Sequence, residues 1–218
     1  MEPILRTSDT SDWITIILLS SLFLPVLAKS LFHGRFLSFI ILPFNNKYIF
    51  MYNKKEKLFN WFHIFFTLFQ IINFSLFIFL AADVFIVTND DAFPFLYPIL
   101  LMGITAFIVL KIVLQLGNGL IFGSSKIITE LIFKKLSYLN YTGFIMFLAN
   151  LLLAYPNKGS KLVVFVAIFL ILLINVIGWI TLLRNHQKFI ANYFFYFILY
   201  LCALEISPII IIGSYLQN

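Results

Sequence analysis

Charge is what this sequence has least of. Only 11% of its 218 residues are charged, where a water-soluble domain of this size carries roughly a quarter. Against that, 62% are hydrophobic and the mean hydropathy is +1.02. A surface built from such a chain is mostly apolar, which lipid accepts and water does not. Cysteine is nearly absent as well. The single Cys202 excludes an internal disulfide, and no Cys/His set has zinc spacing. It lies in an apolar run and reads as a buried, inert thiol. Also missing are HExxH, a Walker loop, a GxSxG elbow and a dinucleotide-binding glycine fingerprint. Gly117, Gly119 and Gly123 miss the last of these spacings and follow an apolar run rather than a strand. No cofactor, metal or enzymatic activity is expected on these grounds.

What abounds is phenylalanine, at 28 residues, a bias that with the Ile, Lys and Asn excess fits an AT-rich genome better than a ligand cage. The net charge of +6 is not a nucleic-acid footprint. Its basic residues sit between apolar runs, as membrane flanks do, not in a stripe with stacking aromatics.

A membrane-spanning helix needs about 20 mostly apolar residues at about 1.5 Å each. Six stretches qualify: 13–32, 58–82, 94–116, 138–155, 162–183 and 193–214. The sequence predicts an all-α fold, one membrane domain over 1–218. The first run is read as a retained span kinked near Pro25, because its leader is net acidic and no cleavage site follows. Loop charge sets the orientation. With the N-terminus outside, only Arg6, Lys158 and Lys161 of the 15 basic residues face outward, and the outer loop after the second span holds Asp83, Asp90 and Asp91. Both termini are therefore expected on the periplasmic side of a bacterial inner membrane.

Two inner connections are longer than the outer ones. In the first, the apolar run 36–44 is too short to span, and Tyr48, Phe50, Tyr52 and Trp61 follow among lysines, a mixture suited to the headgroup layer. In the second, Gly117, Asn118, Gly119 and Gly123 are expected to break the third span, with Ser124 or Ser125 capping a new helix. That helix would lie on the inner surface, with Ile127, Ile128, Leu131 and Ile132 on one face and Lys126, Glu130 and Lys134 at i, i+4 spacing, leaving Lys134 and Lys135 near anionic headgroups. His33, His63 and His186 read as headgroup-level polar residues.

Within the spans lie Gln70, Asn73, Lys111, Gln115, Asn150, Asn175 and Glu205. At 100° per residue, Gln70 shares a face with Asn73, Lys111 with Gln115, Gly143 with Asn150, Asn175 with Gly178, and Glu205 with Cys202. Small and polar residues on one helix face are what helix contacts in lipid use. Glu205 stands out, because an ionisable group at mid-bilayer costs about 2.5–3.5 kcal/mol on insertion scales and marks a functional candidate. Lys111 lies about 10 Å nearer the inner face, so an amide such as Asn150 or Asn175 is the expected partner of Glu205.

The run Phe194-Phe195-Tyr196-Phe197-Ile198-Leu199-Tyr200-Leu201-Cys202-Ala203-Leu204-Glu205-Ile206-Ser207-Pro208 resembles the closing segment of domain of unknown function family 4271, multi-pass membrane proteins of Bacteroidota. Phe133-Lys134-Lys135, Tyr138 and the stretch 143–155 resemble its middle. The chain departs from that pattern at Phe147-Leu148-Ala149-Asn150, where relatives carry a proline. The resemblance implies an inner-membrane protein and supplies no activity.

Three functions compete. A non-enzymatic accessory component of the envelope, partnered by the lipid bilayer and by another membrane protein or a second copy, fits the small loops and polar packing faces. A small transporter or proton-coupled carrier would use Glu205. An intramembrane lipid enzyme finds no nucleophile–base or metal constellation. The orientation is directly testable. In a Cys202→Ser background, Asp90→Cys should react with an impermeant thiol reagent on whole cells and Lys54→Cys should not; the reverse pattern would invert the topology.

Overall fold

The structure, a computed structural model, describes residues 12–43, 47–52, 60–85, 93–121 and 125–185. These form seven helices: α1 (Asp12–Leu31), α2 (His33–Ile40), α3 (Lys47–Tyr52), α4 (Trp61–Phe85), α5 (Phe93–Ile121), α6 (Ser125–Ala154) and α7 (Lys161–Asn185). Among the described residues, five of them (α1, α4, α5, α6 and α7) are long and apolar enough to cross a membrane. The sixth expected span, 193–214, lies outside the described residues. By internal packing the chain divides into Met1–Gly178 and Trp179–Asn218. The described part of the second unit is the end of α7, and the bundle itself belongs to the first.

Local chemistry sets several helix ends. Asp12 in the first turn and Lys29 in the last complement the α1 dipole. Pro25 sits inside α1 without ending it. Asn60 caps α4: its carbonyl accepts the Ile64 N–H at 3.0 Å and its side-chain oxygen the Phe62 N–H at 3.5 Å. Between α6 and α7 the Ser160 N–H bonds the Asn157 carbonyl at 3.1 Å, and Gly159 takes φ +73°. That left-handed conformation suits a residue without a Cβ.

Helices α4 and α6 form the centre. About half of each span is buried, 56% and 50%, against 11% for the span in α5. They run parallel, since His63, Thr67, Gln70 and Asn73 meet Phe133, Asn140, Gly143 and Asn150 in ascending order. The helices α1 and α5 pack on α4, and α5 also packs on α6. Trp13 meets Phe79 and Tyr97 with ring centroids at 5.3 and 5.6 Å, Thr15 bonds Tyr155 at 2.7 Å, and Phe85 meets Phe165 at 5.8 Å. So the starts of α1, α5 and α7 lie with the ends of α4 and α6, and successive long helices alternate in direction. The opposite end gathers Lys29, Arg35, Lys134 and Lys135.

Two apolar clusters fill the bundle. One joins Leu18, Leu76, Phe79, Met146, Leu153 and Val164. The other, at the basic end, is aromatic, with Phe39, Tyr48, Phe62, Phe66, Phe69 and Tyr138.

Two sequence expectations are corrected. Gly117, Asn118 and Gly119 do not break the third helix, since α5 continues through them to Ile121; Gly123 and Ser124 lie outside the described residues, and a new helix does begin at Ser125. A helical glycine costs only about 1 kcal/mol relative to alanine, too little to outweigh propagation through a long apolar helix. Nor is there a separate surface helix before the fourth span, because α6 is one helix of 30 residues from Ser125 to Ala154. Its first half is held in the bundle by Ile132, Phe133 and Tyr138, all buried. The connection through α2 and α3 also does more than lie along a surface. Phe39, Leu42, Tyr48 and Ile49 are buried, while Leu37, Ile40 and Ile41 on the other side stay exposed. The Phe39 ring packs at 4.6 Å from Phe66 and 5.6 Å from Phe62, so the segment is wedged into the end of the bundle.

Gly143 allows the central approach. A Cβ there would meet Gln70 Cα and the Phe69 ring at 3.2 Å, whereas one at Gly103 would meet nothing within 4 Å. Gly143→Ala should lower the melting temperature in mild detergent, by about 1–3 kcal/mol of stability. Gly103→Ala should be neutral or stabilise by up to about 1 kcal/mol. Equal effects would mean the two backbones do not meet at Gly143.

Candidate functional site

Polar side chains of the bundle collect along the contact line of α4 and α6. Thr67 and Asn140 pair reciprocally: the Thr67 hydroxyl donates to Asn140 Oδ1 at 3.3 Å, and Asn140 Nδ2 donates to Thr67 Oγ1 at 3.1 Å. Farther along the same line, Asn150 Nδ2 donates to the Asn73 carbonyl at 2.9 Å, and Asn73 Nδ2 donates to the Phe69 carbonyl at 2.8 Å. Gln70 lies between these pairs, against Gly143. Gln70, Asn73, Asn140 and Asn150 are all buried. In such surroundings an amide without a partner costs several times the net gain of a made hydrogen bond, which explains why the pairs are specific. Among the described residues Gln70 Oε1, Asn73 Oδ1 and Asn150 Oδ1 accept no hydrogen bond.

A second centre lies at the basic end. The Tyr48 hydroxyl and His63 Nε2 are 3.2 Å apart, both buried, and the His63 ring stands edge-on to Phe133 at 4.5 Å. Burial pushes the Tyr48 phenol above its usual range, against a smaller opposing pull from Arg35, so the phenol keeps its proton and can donate it to the imidazole. The Arg35 guanidinium covers the Tyr52 ring at 5.0 Å and the Phe32 ring at 5.4 Å. His63 is thus buried at the basic end of the bundle, His33 is exposed, and His186 lies outside the described residues.

The intramembrane residues singled out by sequence thus separate. Gln70, Asn73 and Asn150 come together. Asn175 does not join them: half-buried on α7, its amide donates to the Ile171 carbonyl of its own helix at 2.8 Å. Lys111 lies elsewhere, on α5, over the Phe107 ring at 5.8 Å and facing Lys135 of α6. Glu205 lies outside the described residues. Sequence reasoning missed Thr67 and Asn140, although Thr67 stands three before Gln70, the spacing that joined Gln70 to Asn73, and Asn140 stands three before Gly143. The Tyr48–His63 pair had no local signal. Among the described residues no three His, Cys, Asp or Glu side chains group to hold a metal ion.

Residues 14–216 match the family described as Domain of unknown function (DUF4271), and the chain belongs to that family. No curated protein and no solved structure matches it.

The Thr67–Asn140 pair should behave as polar glue. In a double-mutant cycle of Thr67→Val and Asn140→Leu, the coupling in detergent melts should be about 0.6 kcal/mol and no more than about 2. A cycle of Thr67→Val with Asn175→Leu should give none. Zero coupling for the first pair would dissolve the assigned contact.

Proposed function

We propose that the protein is a non-enzymatic, multi-pass component of a bacterial inner membrane, with both termini periplasmic, that works by assembling with another envelope protein. One observation carries this reading: α5 is the least covered of the five described spans, 11% buried, and its open face combines Gly103 and Ala106 with exposed Met102, Phe107 and Leu110. Small residues on an apolar face let a second helix approach closely in lipid. Meanwhile Thr67 with Asn140, and Asn150 with the Asn73 carbonyl, tie α4 to α6.

A second reading, a proton-coupled carrier using Glu205, draws on the three amide oxygens of Gln70, Asn73 and Asn150 that lack donors among the described residues.

Purification in mild detergent separates the two. The assembly reading expects a stoichiometric co-purifying membrane protein, lost in Gly103→Phe while melting temperature is kept, and expects Glu205→Gln to complement a deletion strain. The carrier reading expects a single species, with Glu205→Gln expressed and stable but inactive in cells. A lone protein whose Glu205→Gln variant complements would contradict both.

A further inference from the structure

The short helix α2 lies across α4 rather than along it. Phe32, its N-cap, and Phe39 are seven residues apart, about 10 Å of helix, yet both rings meet that of Phe62, at 6.1 and 5.6 Å. Phe36 and Phe39 likewise share Phe66, at 6.2 and 4.6 Å. A helix running parallel to α4 would carry its second contact about two turns farther along. The crossing falls on the first two turns of α4, next to Trp61, which begins that helix and is 67% exposed. Tryptophan gathers where a span meets the headgroups. Where α4 crosses a bilayer, α2 therefore lies in the plane of the surface at that depth.

The two sides of this segment differ. Phe39 and Leu42 are fully buried, while Leu37, Ile40 and Ile41 are 50%, 42% and 52% exposed. An outward face of large aliphatic side chains is out of place in water and fits the boundary between headgroups and acyl chains.

Two cations are held at the same corner. The Lys29 ammonium, from the last turn of α1, stands 6.0 Å from the Phe36 ring. The Arg35 guanidinium lies over the rings of Phe32 and Tyr52, at 5.4 and 5.0 Å. Such ring contacts fix where both positive charges sit. Lys29 is exposed and Arg35 half-buried. No Asp or Glu occurs between Asp12 and Glu56, a stretch that holds Lys29, Arg35, Lys47, Lys54 and Lys55. The charge around the aliphatic face is thus of one sign, which anionic headgroups complement and zwitterionic ones do not.

We propose that α2 is an interface helix that docks the basic end of the bundle on an anionic phospholipid surface, with Leu37, Ile40 and Ile41 in the acyl boundary and Lys29 and Arg35 at the headgroups. This rests on the membrane reading above and adds the class of lipid and the element that meets it.

The test uses the full chain in a Cys202→Ser background, with a polarity-sensitive fluorophore on one introduced cysteine. Bilayers are phosphatidylcholine alone or an equal mixture with phosphatidylglycerol, with or without nitroxide-labelled acyl chains. Val109→Cys, exposed on α5, and Lys158→Cys, in the turn after α6, calibrate the readout as acyl-facing and aqueous. An unquenched Val109→Cys would refute the membrane reading itself. With Val109→Cys quenched, Ile40→Cys should be quenched and blue-shifted too, and more so in the mixed bilayer. A water-like signal at Ile40→Cys matching that at Lys158→Cys would overturn the docking. The charge is tested by melting the unlabelled chain in neutral detergent. Phosphatidylglycerol should raise the melting temperature and phosphatidylcholine should not, and added salt should shrink the rise. Lys29→Met should lose part of the rise and Lys29→Met/Arg35→Met most of it. Arg35→Lys should keep it, as should Lys161→Met, whose ammonium lies over Phe85 at the opposite end. An undiminished rise in Lys29→Met and in the double variant, or an equal one from phosphatidylcholine or inorganic phosphate, would overturn the anionic lipid.

Discussion

The close approach of α4 to α6 at Gly143 is the constraint on which the rest of the bundle depends. A Cβ at this position would stand 3.2 Å from the Gln70 backbone, so the helices meet main chain to main chain. At that separation short polar side chains can reach across. Thr67 meets Asn140, and Asn150 reaches the Asn73 carbonyl rather than another side chain. In lipid, burial of apolar surface gives helices no preference for one another over acyl chains, so packing and interhelical hydrogen bonds must supply the association. A larger residue at Gly143 would weaken both at once.

The flanking clusters depend on this centre. On one side of the amide line Met146, Ala149 and Leu153 close against Leu76 and Phe79. On the other, the rings of Phe62, Phe66 and Phe69 build a layer that receives Phe39 from α2. The α2–α3 connection is held there by aromatic contacts and by Tyr48 against His63, which ties the loop after α1 to the start of α4. A second glycine serves the same end: a Cβ at Gly178 would meet the Tyr138 ring at 2.8 Å, so α7 can sit against this layer only with a bare backbone there. The central pair is thus well covered, while α5 keeps most of its described span exposed.

Much of this is legible in the sequence because the spans are long and their polar residues few. The 3.6-residue period places Gln70 with Asn73 and Gly143 with Asn150, and these faces do meet. It also puts Lys111 and Gln115 on one face, but which helix opposes them is not readable, since that depends on α6 extending as one helix below its span. The glycine run after Leu116 misleads because local propensity, about 1 kcal/mol per residue, is weak beside the continuity of a long apolar helix. His63 misleads for another reason. Its partner Tyr48 comes from a short helix whose position is set by tertiary contacts of Phe39 and Leu42, and no periodicity encodes those. Membership of the family rests on nearly the whole chain and brings no activity with it, so the functional reading stands on the placement of side chains.

The central claim is the parallel register of α4 on α6, with Thr67 opposite Asn140. Paired cysteine cross-linking in native membranes, in a Cys202→Ser background, tests it most directly. Thr67→Cys with Asn140→Cys should form a cross-link with a short bifunctional thiol reagent. Thr67→Cys with Asn150→Cys, displaced by about 15 Å along α6, should not. Cross-linking of the second pair in preference to the first would contradict the register and the polar line built on it.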